Sequence, residues 1–307
     1  MPRPTAHALS SLSLALLVMG CAVSADEVGD ATLQVTDDVP IDAGAYALDF
    51  EVSDGDQRAY LLYLPLGYDQ LRAEPYPLVA MFHGLSGGAA NFAGTLAAAG
   101  LRGLADAQGK IVVFLHGKKD SPVTEVGGWW NMTNVGRDDV LYTEELLDHL
   151  ALELNVDETR VFAGGHSLGG RFVHELGSRI PSRFRAIADV SGFYGTTAAE
   201  PAPPPAGTLL PVLIVHGIDD PIVPLAGGPV FQPTQYTYDS WYDNDDCTEP
   251  TNVLLGQFWT IQLTDCQASE SDPILYFVSV GGLDHHWPTA ADHFDASSEM
   301  LAFFDMQ

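Results

Sequence analysis

Two stretches of this chain, PLVAMF (residues 77–82) and IVVFL (residues 111–115), are apolar at almost every position for the length of a strand. Successive side chains of a strand point to opposite faces, so such a run is comfortable only where both faces are covered. That points to a strand covered on both faces, as in a parallel sheet with helices packed on each side.

The remaining segments keep the same rhythm. RAYLLYLP (58–65), TRVFAGG (159–165), FRAIADVSG (184–192), LLPVLIVHG (209–217) and PILYFVSVGG (273–282) read as further strands. Helical spacing appears in NFAGTLAAAGLRGLADAQG (91–109), in DDVLYTEELLDHLALEL (138–154), in SLGGRFVHELGSRI (167–180) and from about Thr289 to Phe304. Asp138 and Asp139 stand at the positive N-terminal end of the second of these helices. Strand alternating with helix predicts a mostly parallel, doubly wound α/β sheet. The Pro-rich run at 198–207 reads as a surface loop, because strands resume after it, and a chain of 307 residues fits one domain spanning 45–307.

The N-terminus reads as targeting sequence. Arg3 precedes the apolar run LSLALLVMG, too short to cross a bilayer, so residues 1–25 are expected to be a signal peptide. Two cleavage patterns are open. VMGC would lipidate Cys21 and give a lipid anchor, whereas VSA, ending at Ala25, would release the protein freely; both place it outside the cytoplasm. Residues 26–44 are acidic and nearly free of aromatics, as a flexible tether is. With Cys21 removed, Cys247 and Cys266 remain as a pair in an oxidising compartment and are expected to form a disulfide. Neither lies in a CxxC or Cys/His cluster, so no metal is expected. With 41 acidic against 13 basic residues and a net charge of −28, the surface repels phosphate backbones and anionic membranes, which argues against nucleic acid as a partner.

Between the strand RVFAGG and the helix that follows it lies Gly165-His166-Ser167-Leu168-Gly169, a G-x-S-x-G pattern. A serine there sits at the carboxyl end of a strand and the start of a helix, where doubly wound sheets hold ligands and backbone N–H groups face outward. Its hydroxyl needs a base, and the base an orienting acid. In such a sheet the acid and the histidine follow the serine on loops after later strands. HGIDDPIVP and GGLDHHWP occupy those places, each with an adjacent pair: Asp219 and Asp220, His285 and His286.

From about Arg58 to Pro288 the chain resembles the polyhydroxybutyrate depolymerase and feruloyl esterase group of secreted α/β-hydrolases, related to carbohydrate esterase family one. The motifs that carry the resemblance are PLVAMFHG, the aspartate pair opening DDVLYTEELLDHL, VDETRVFAGGHSLGG, HGIDDPIVP, SWYDNDDC and DHHWP. The resemblance implies a single-domain α/β-hydrolase, with Ser167 as nucleophile, Asp220 as acid and His285 as base. It departs from the group at Leu168, at His116 and in the loop GKKDSPVTEVGGWWNM.

The backbone N–H of Leu168, directly after the nucleophile, is the expected first donor of an oxyanion hole. By the resemblance the second is the N–H of Leu85. His83, in an HG dipeptide at a strand end, reads as structural, and His166 as outside the chemistry. Trp129 and Trp130 are candidates for an apolar substrate wall, with packing in the core as the competing reading. Trp287 reads as a buttress of the histidine loop.

The expected function is ester hydrolysis by acyl transfer, with no cofactor. The substrate would be a hydroxyalkanoate oligomer, a feruloylated or acetylated polysaccharide, or a small ester. A non-catalytic carbohydrate-binding protein on the same fold, or a serine peptidase, is the alternative.

Overall fold

The computed structural model describes residues 34–35, 39–117, 120–131, 138–196, 205, 208–245, 247, 251–264, 266 and 275–307. The N-terminal segment read as a signal peptide, with Cys21, lies outside them, as does most of the Pro-rich run.

One eleven-stranded sheet runs through the described residues. In chain order its strands are β1 (Gln34–Val35), β2 (Gly44–Glu51), β3 (Gln57–Leu64), β4 (Tyr76–Phe82), β5 (Ile111–Leu115), β6 (Val156–His166), β7 (Ala186–Val190), β8 (Val212–Gly217), β9 (Asn252–Leu255), β10 (Trp259–Thr264) and β11 (Leu275–Val280). Their spatial order is β1-β2-β3-β5-β4-β6-β7-β8-β11-β10-β9. The centre, from β5 through β4, β6, β7 and β8 to β11, is parallel throughout. On one side β3 pairs antiparallel with both β5 and β2; on the other, the β9–β10 hairpin joins β11 antiparallel. Within the segment read as a tether, β1 pairs in parallel with Tyr46 and Ala47.

The apolar runs of β4 and β5 are buried at every position, as their composition requires. Side chains on one face pack with helices α3 (Asp139–Glu153), α4 (Leu168–Arg179) and α5 (Thr234–Asn244). Those on the other pack with α1 (Ala89–Ala98), α2 (Leu101–Gln108) and α6 (Ala296–Asp305). The expected doubly wound sheet is therefore present.

Three expectations change in detail. The single helix over 91–109 is two, broken where Gly100 takes a left-handed φ of 81°. The final helix from Thr289 is a short 3₁₀ turn, Ala290–Asp292, capped by Thr289, followed by α6 with its own cap on Asp295. Asp138 and Asp139 also separate in role. Asp138 caps α3 by accepting from the N–H groups of Val140 and Leu141, whereas Asp139 is fully buried and ion-paired with Arg58. That guanidinium also lies over the Tyr142 ring.

Candidate active site

Ser167 stands between β6 and α4 with φ 56° and ψ −117°, a conformation that costs a non-glycine residue about 1–3 kcal/mol. Two contacts hold it there: its N–H donates to Val190 O at 2.9 Å, and its carbonyl accepts from Arg171 N–H at 3.0 Å. The turn is so tight that a Cβ on Gly169 would lie 2.0 Å from Phe82 O, so only glycine fits.

Three loops bring polar groups to the serine. His285 Nε2 is 2.8 Å from Ser167 Oγ, and His285 Nδ1 is 2.6 Å from Asp220 Oδ2. With Nδ1–H donating to the carboxylate, Nε2 is left as the acceptor for the serine proton. The other oxygen of Asp220 accepts from Ile222 N–H at 2.8 Å and Val223 N–H at 2.9 Å, so the acid is locked by its own turn. Burial pushes its carboxyl up, but the hydrogen bonds from His285, Val223 and Ile222 outweigh it and hold the carboxyl below its ordinary value.

The neighbouring residues of each pair face elsewhere. Asp219 accepts from Gly282 N–H at 2.9 Å, tying the acid loop to the histidine loop. His286 pairs with Asp284 and, through Nε2 at 3.2 Å, with Asp292; burial lowers the imidazole value, and the two carboxylates more than reverse it. His166 lies beside the site with its ring 5.3 Å from that of His285, and burial, reinforced by His285, pushes it down to about 3. It is therefore neutral at ordinary pH.

Leu168 N–H opens α4, where first-turn donors have no acceptor within the helix. The Leu85 loop reaches the serine through Gly84, on which a Cβ would be 3.3 Å from Ser167 Cβ. That loop is braced by a bridge between Gly87 and Gly128 and by Ser86 N–H donating to Gly128 O at 2.8 Å. His83 holds its base: Nδ1–H donates to Gly84 O, and Nε2 accepts from Gly117 N–H.

The two tryptophans part company. Trp130 is 1% exposed, stacks on Phe172 and donates its indole N–H to His83 O, so it belongs to the core and not to a substrate wall. Trp129, directly after the braced Gly128, is half-exposed. Trp287 is buried edge-on to Phe92 and donates to Ser297 Oγ, anchoring the histidine loop to α6. Cys247 and Cys266 are joined in a disulfide.

One neighbour of the site lay outside the sequence reading. His216, fully buried at the end of β8, donates from Nε2 to Val223 O at 2.8 Å and lies 3.5 Å from Asp220 Oδ2. Its only sequence signal is an HG dipeptide at a strand end, the same as that of His83.

Residues 53–262 match the model of the esterase family described as "Putative esterase". The chain belongs to that family. Among curated proteins it is similar to feruloyl esterase C of Emericella nidulans, 28% identical over 197 residues; the match covers 64% of each chain, so the chain spans just under two thirds of that relative's length. Solved structures of other esterases share the fold of this esterase-family chain. The acetyl xylan esterase from Aspergillus awamori superposes with a TM-score of 0.58 at 15% identity, covering 81% of this chain and 94% of that one. A CE1 ferulic acid esterase from Anaeromyces mucronatus, in complex with ferulic acid, gives 0.55 at 16%, covering 86% and 90%. The architecture is thus that of an α/β-hydrolase.

Proposed function

We propose that the chain is an exported serine esterase that removes aromatic or acetyl groups ester-linked to polysaccharide. The observation that carries the reading is His285, hydrogen-bonded to Ser167 Oγ on one side and to Asp220 on the other. In the first step Ser167 Oγ attacks the ester carbonyl as its proton passes to His285 Nε2, and Asp220 stabilises the imidazolium. The N–H groups of Leu168 and Leu85 receive the developing oxyanion. Collapse expels the alcohol, which takes the proton from His285. Water, deprotonated by the same nitrogen, then cleaves the acyl-enzyme and regenerates Ser167.

The substrate class is supported by the names of the relatives: a feruloyl esterase and, over 39% of this chain, a bifunctional acetylxylan esterase/xylanase from Neocallimastix patriciarum. Half-exposed Trp129 supplies a flat aromatic face beside the braced loop, and exposed Leu85 adds apolar area, for an aromatic acyl group. Export is supported by the leader-like N-terminus and by the Cys247–Cys266 disulfide, a bond that persists in oxidising compartments.

The test is hydrolysis of p-nitrophenyl acetate and butyrate, methyl ferulate and a hydroxybutyrate oligomer by the wild type and by Ser167→Ala. Cleavage of methyl ferulate and acetate that vanishes in the variant is the expected result. Preference for the hydroxybutyrate oligomer would reassign the substrate, and equal inertness of both proteins would overturn the esterase reading.

A further inference from the structure

Among the described residues, the β9–β10 hairpin takes no part in the hydrogen bonds of Ser167, His285 and Asp220, yet it is built as a fixed platform. It lies beyond the parallel centre of the sheet, and the Cys247–Cys266 disulfide brackets it at both ends. Its tip carries two adjacent aromatics, Phe258 and Trp259. Phe258 stacks on His293 at 3.9 Å between ring centroids and 14° between planes. The Trp259 ring lies so close over Gly256 that a Cβ there would come within 2.4 Å of it, so one indole face is backed by bare main chain.

Beyond Trp259 opens a groove of about 350 Å³. It is lined by Trp259 and Ile261 of the hairpin and by Ala290, His293, Phe294, Asp295 and Glu299. The volume is in the range of ~300–1,000 Å³ typical of small-ligand sites. The lining residues from Ala290 onward belong to the segment that leaves the His285 loop, and His286 ties to Asp292 in the turn at its start.

We infer that this groove is a second binding site, separate from the Ser167 centre, for a neutral glycan chain, with a pyranose ring stacked on Trp259 and its hydroxyls donating to Asp295 and Glu299. A sugar ring presents an apolar C–H face to a flat aromatic and a polar rim of hydroxyls to acceptors, which is the pairing this groove offers. Among the described residues no lysine or arginine lines it, so a phosphate or carboxylate ligand would find no countercharge there. An organic cation would suit the carboxylates but calls for several ring faces around it, and Phe258 already has a face covered by His293. The function of such a site would be to hold the polysaccharide while one of its acyl groups reaches Ser167.

The choice of sugar rests on the esterase reading above; the site itself does not. The experiment is titration of the full chain with unsubstituted linear xylohexaose, followed by tryptophan fluorescence and calorimetry, for the wild type, Trp259→Ala, Trp259→Phe and Glu299→Gln. The wild type should bind, Trp259→Ala should weaken binding about tenfold or more, and Trp259→Phe, which keeps a ring, should lie between. Glu299→Gln leaves the platform intact and should weaken binding several-fold, which keeps the inference testable if Trp259→Ala does not fold. All variants that fold should hydrolyse p-nitrophenyl acetate at the wild-type rate. Absence of xylohexaose binding by the wild type, binding unchanged in both Trp259→Ala and Glu299→Gln, or capture of tetramethylammonium in preference to the sugar would each overturn the inference. Sugar binding without any ester hydrolysis would instead overturn the esterase reading and leave the glycan site standing.

Discussion

His166 allows a quantitative test of how the centre is buried. Its ring lies among those of Phe92, His285 and Trp287, and its Nε2 is buried without a hydrogen-bond partner among the described residues. Burial first, and the neighbouring His285 second, push the imidazole from 6.5 down to about 3. The unfolded chain therefore takes up a proton near pH 6.5 that the folded chain refuses until about pH 3. Because the folded-state value is depressed, the stability contribution is fully present above 6.5 and is lost progressively as the pH falls toward 3. At about pH 5 the loss is about 2 kcal/mol, from ~1.36 kcal/mol per unit acting over about 1.5 units. The assay is equilibrium urea unfolding of the wild type and His166→Leu at about pH 7.5 and again at about pH 5. Any packing cost of leucine is common to both conditions, so the change in the difference isolates the proton. On acidification His166→Leu should gain about 2 kcal/mol relative to the wild type. A change smaller than about 0.5 kcal/mol would mean that the folded protein protonates His166 readily, and the argument from burial would fail.

Asp220→Asn should lower kcat about 10⁴-fold with little change in KM, because the amide no longer holds His285 in the tautomer that accepts the serine proton; near-normal steady-state kinetics would remove Asp220 from the chemistry. Gly169→Ala places a Cβ 2.0 Å from Phe82 O, so the start of α4 must move away from the end of β4. A shift of that size in the Ser167 turn should cost about 100-fold or more in kcat/KM, and unchanged kinetics would show the turn to be looser than its geometry. Asp139→Asn leaves the Arg58 guanidinium, whose side chain is 0% exposed, without its countercharge. Urea unfolding should show a loss of about 3–5 kcal/mol, a large share of a typical domain's stability, and a loss under about 1 kcal/mol would contradict the buried pair.

What could be read from the residues was whatever burial writes into composition. β4, β5, β7 and β8 are buried at every position, so their apolar runs declare both their type and their place in the centre of the sheet. The order of the serine, acid and histidine loops followed from the same rhythm. The edge was not legible for the converse reason. β9 is exposed throughout and β10 half-buried on both faces, so neither shows the period-two contrast by which a strand is recognised. Helix α5 is rich in Thr, Tyr and Asp, and it is held by Trp241 and Tyr238 in the core rather than by a clear apolar stripe.

Adjacent pairs posed a different problem, because composition assigns the same chemistry to both members and only the local backbone separates them. Asp220 faces His285 because its other oxygen is claimed by the N–H groups of Ile222 and Val223 one turn ahead, while Asp219 is drawn across to Gly282. Trp130 is drawn inward because its indole N–H reaches His83 O while its ring stacks on Phe172, a combination open to only one of two consecutive residues. The same logic separates Asp138 from Asp139: one finds the free N–H groups of its own helix, the other a guanidinium that arrives from β3. Each selection depends on partners distant in sequence or on the path of a single turn. Reading these pairs from the chain alone therefore took a resemblance to known folds, and where the resemblance was silent, as at Trp129 and Trp130, both readings stayed open until the packing separated them.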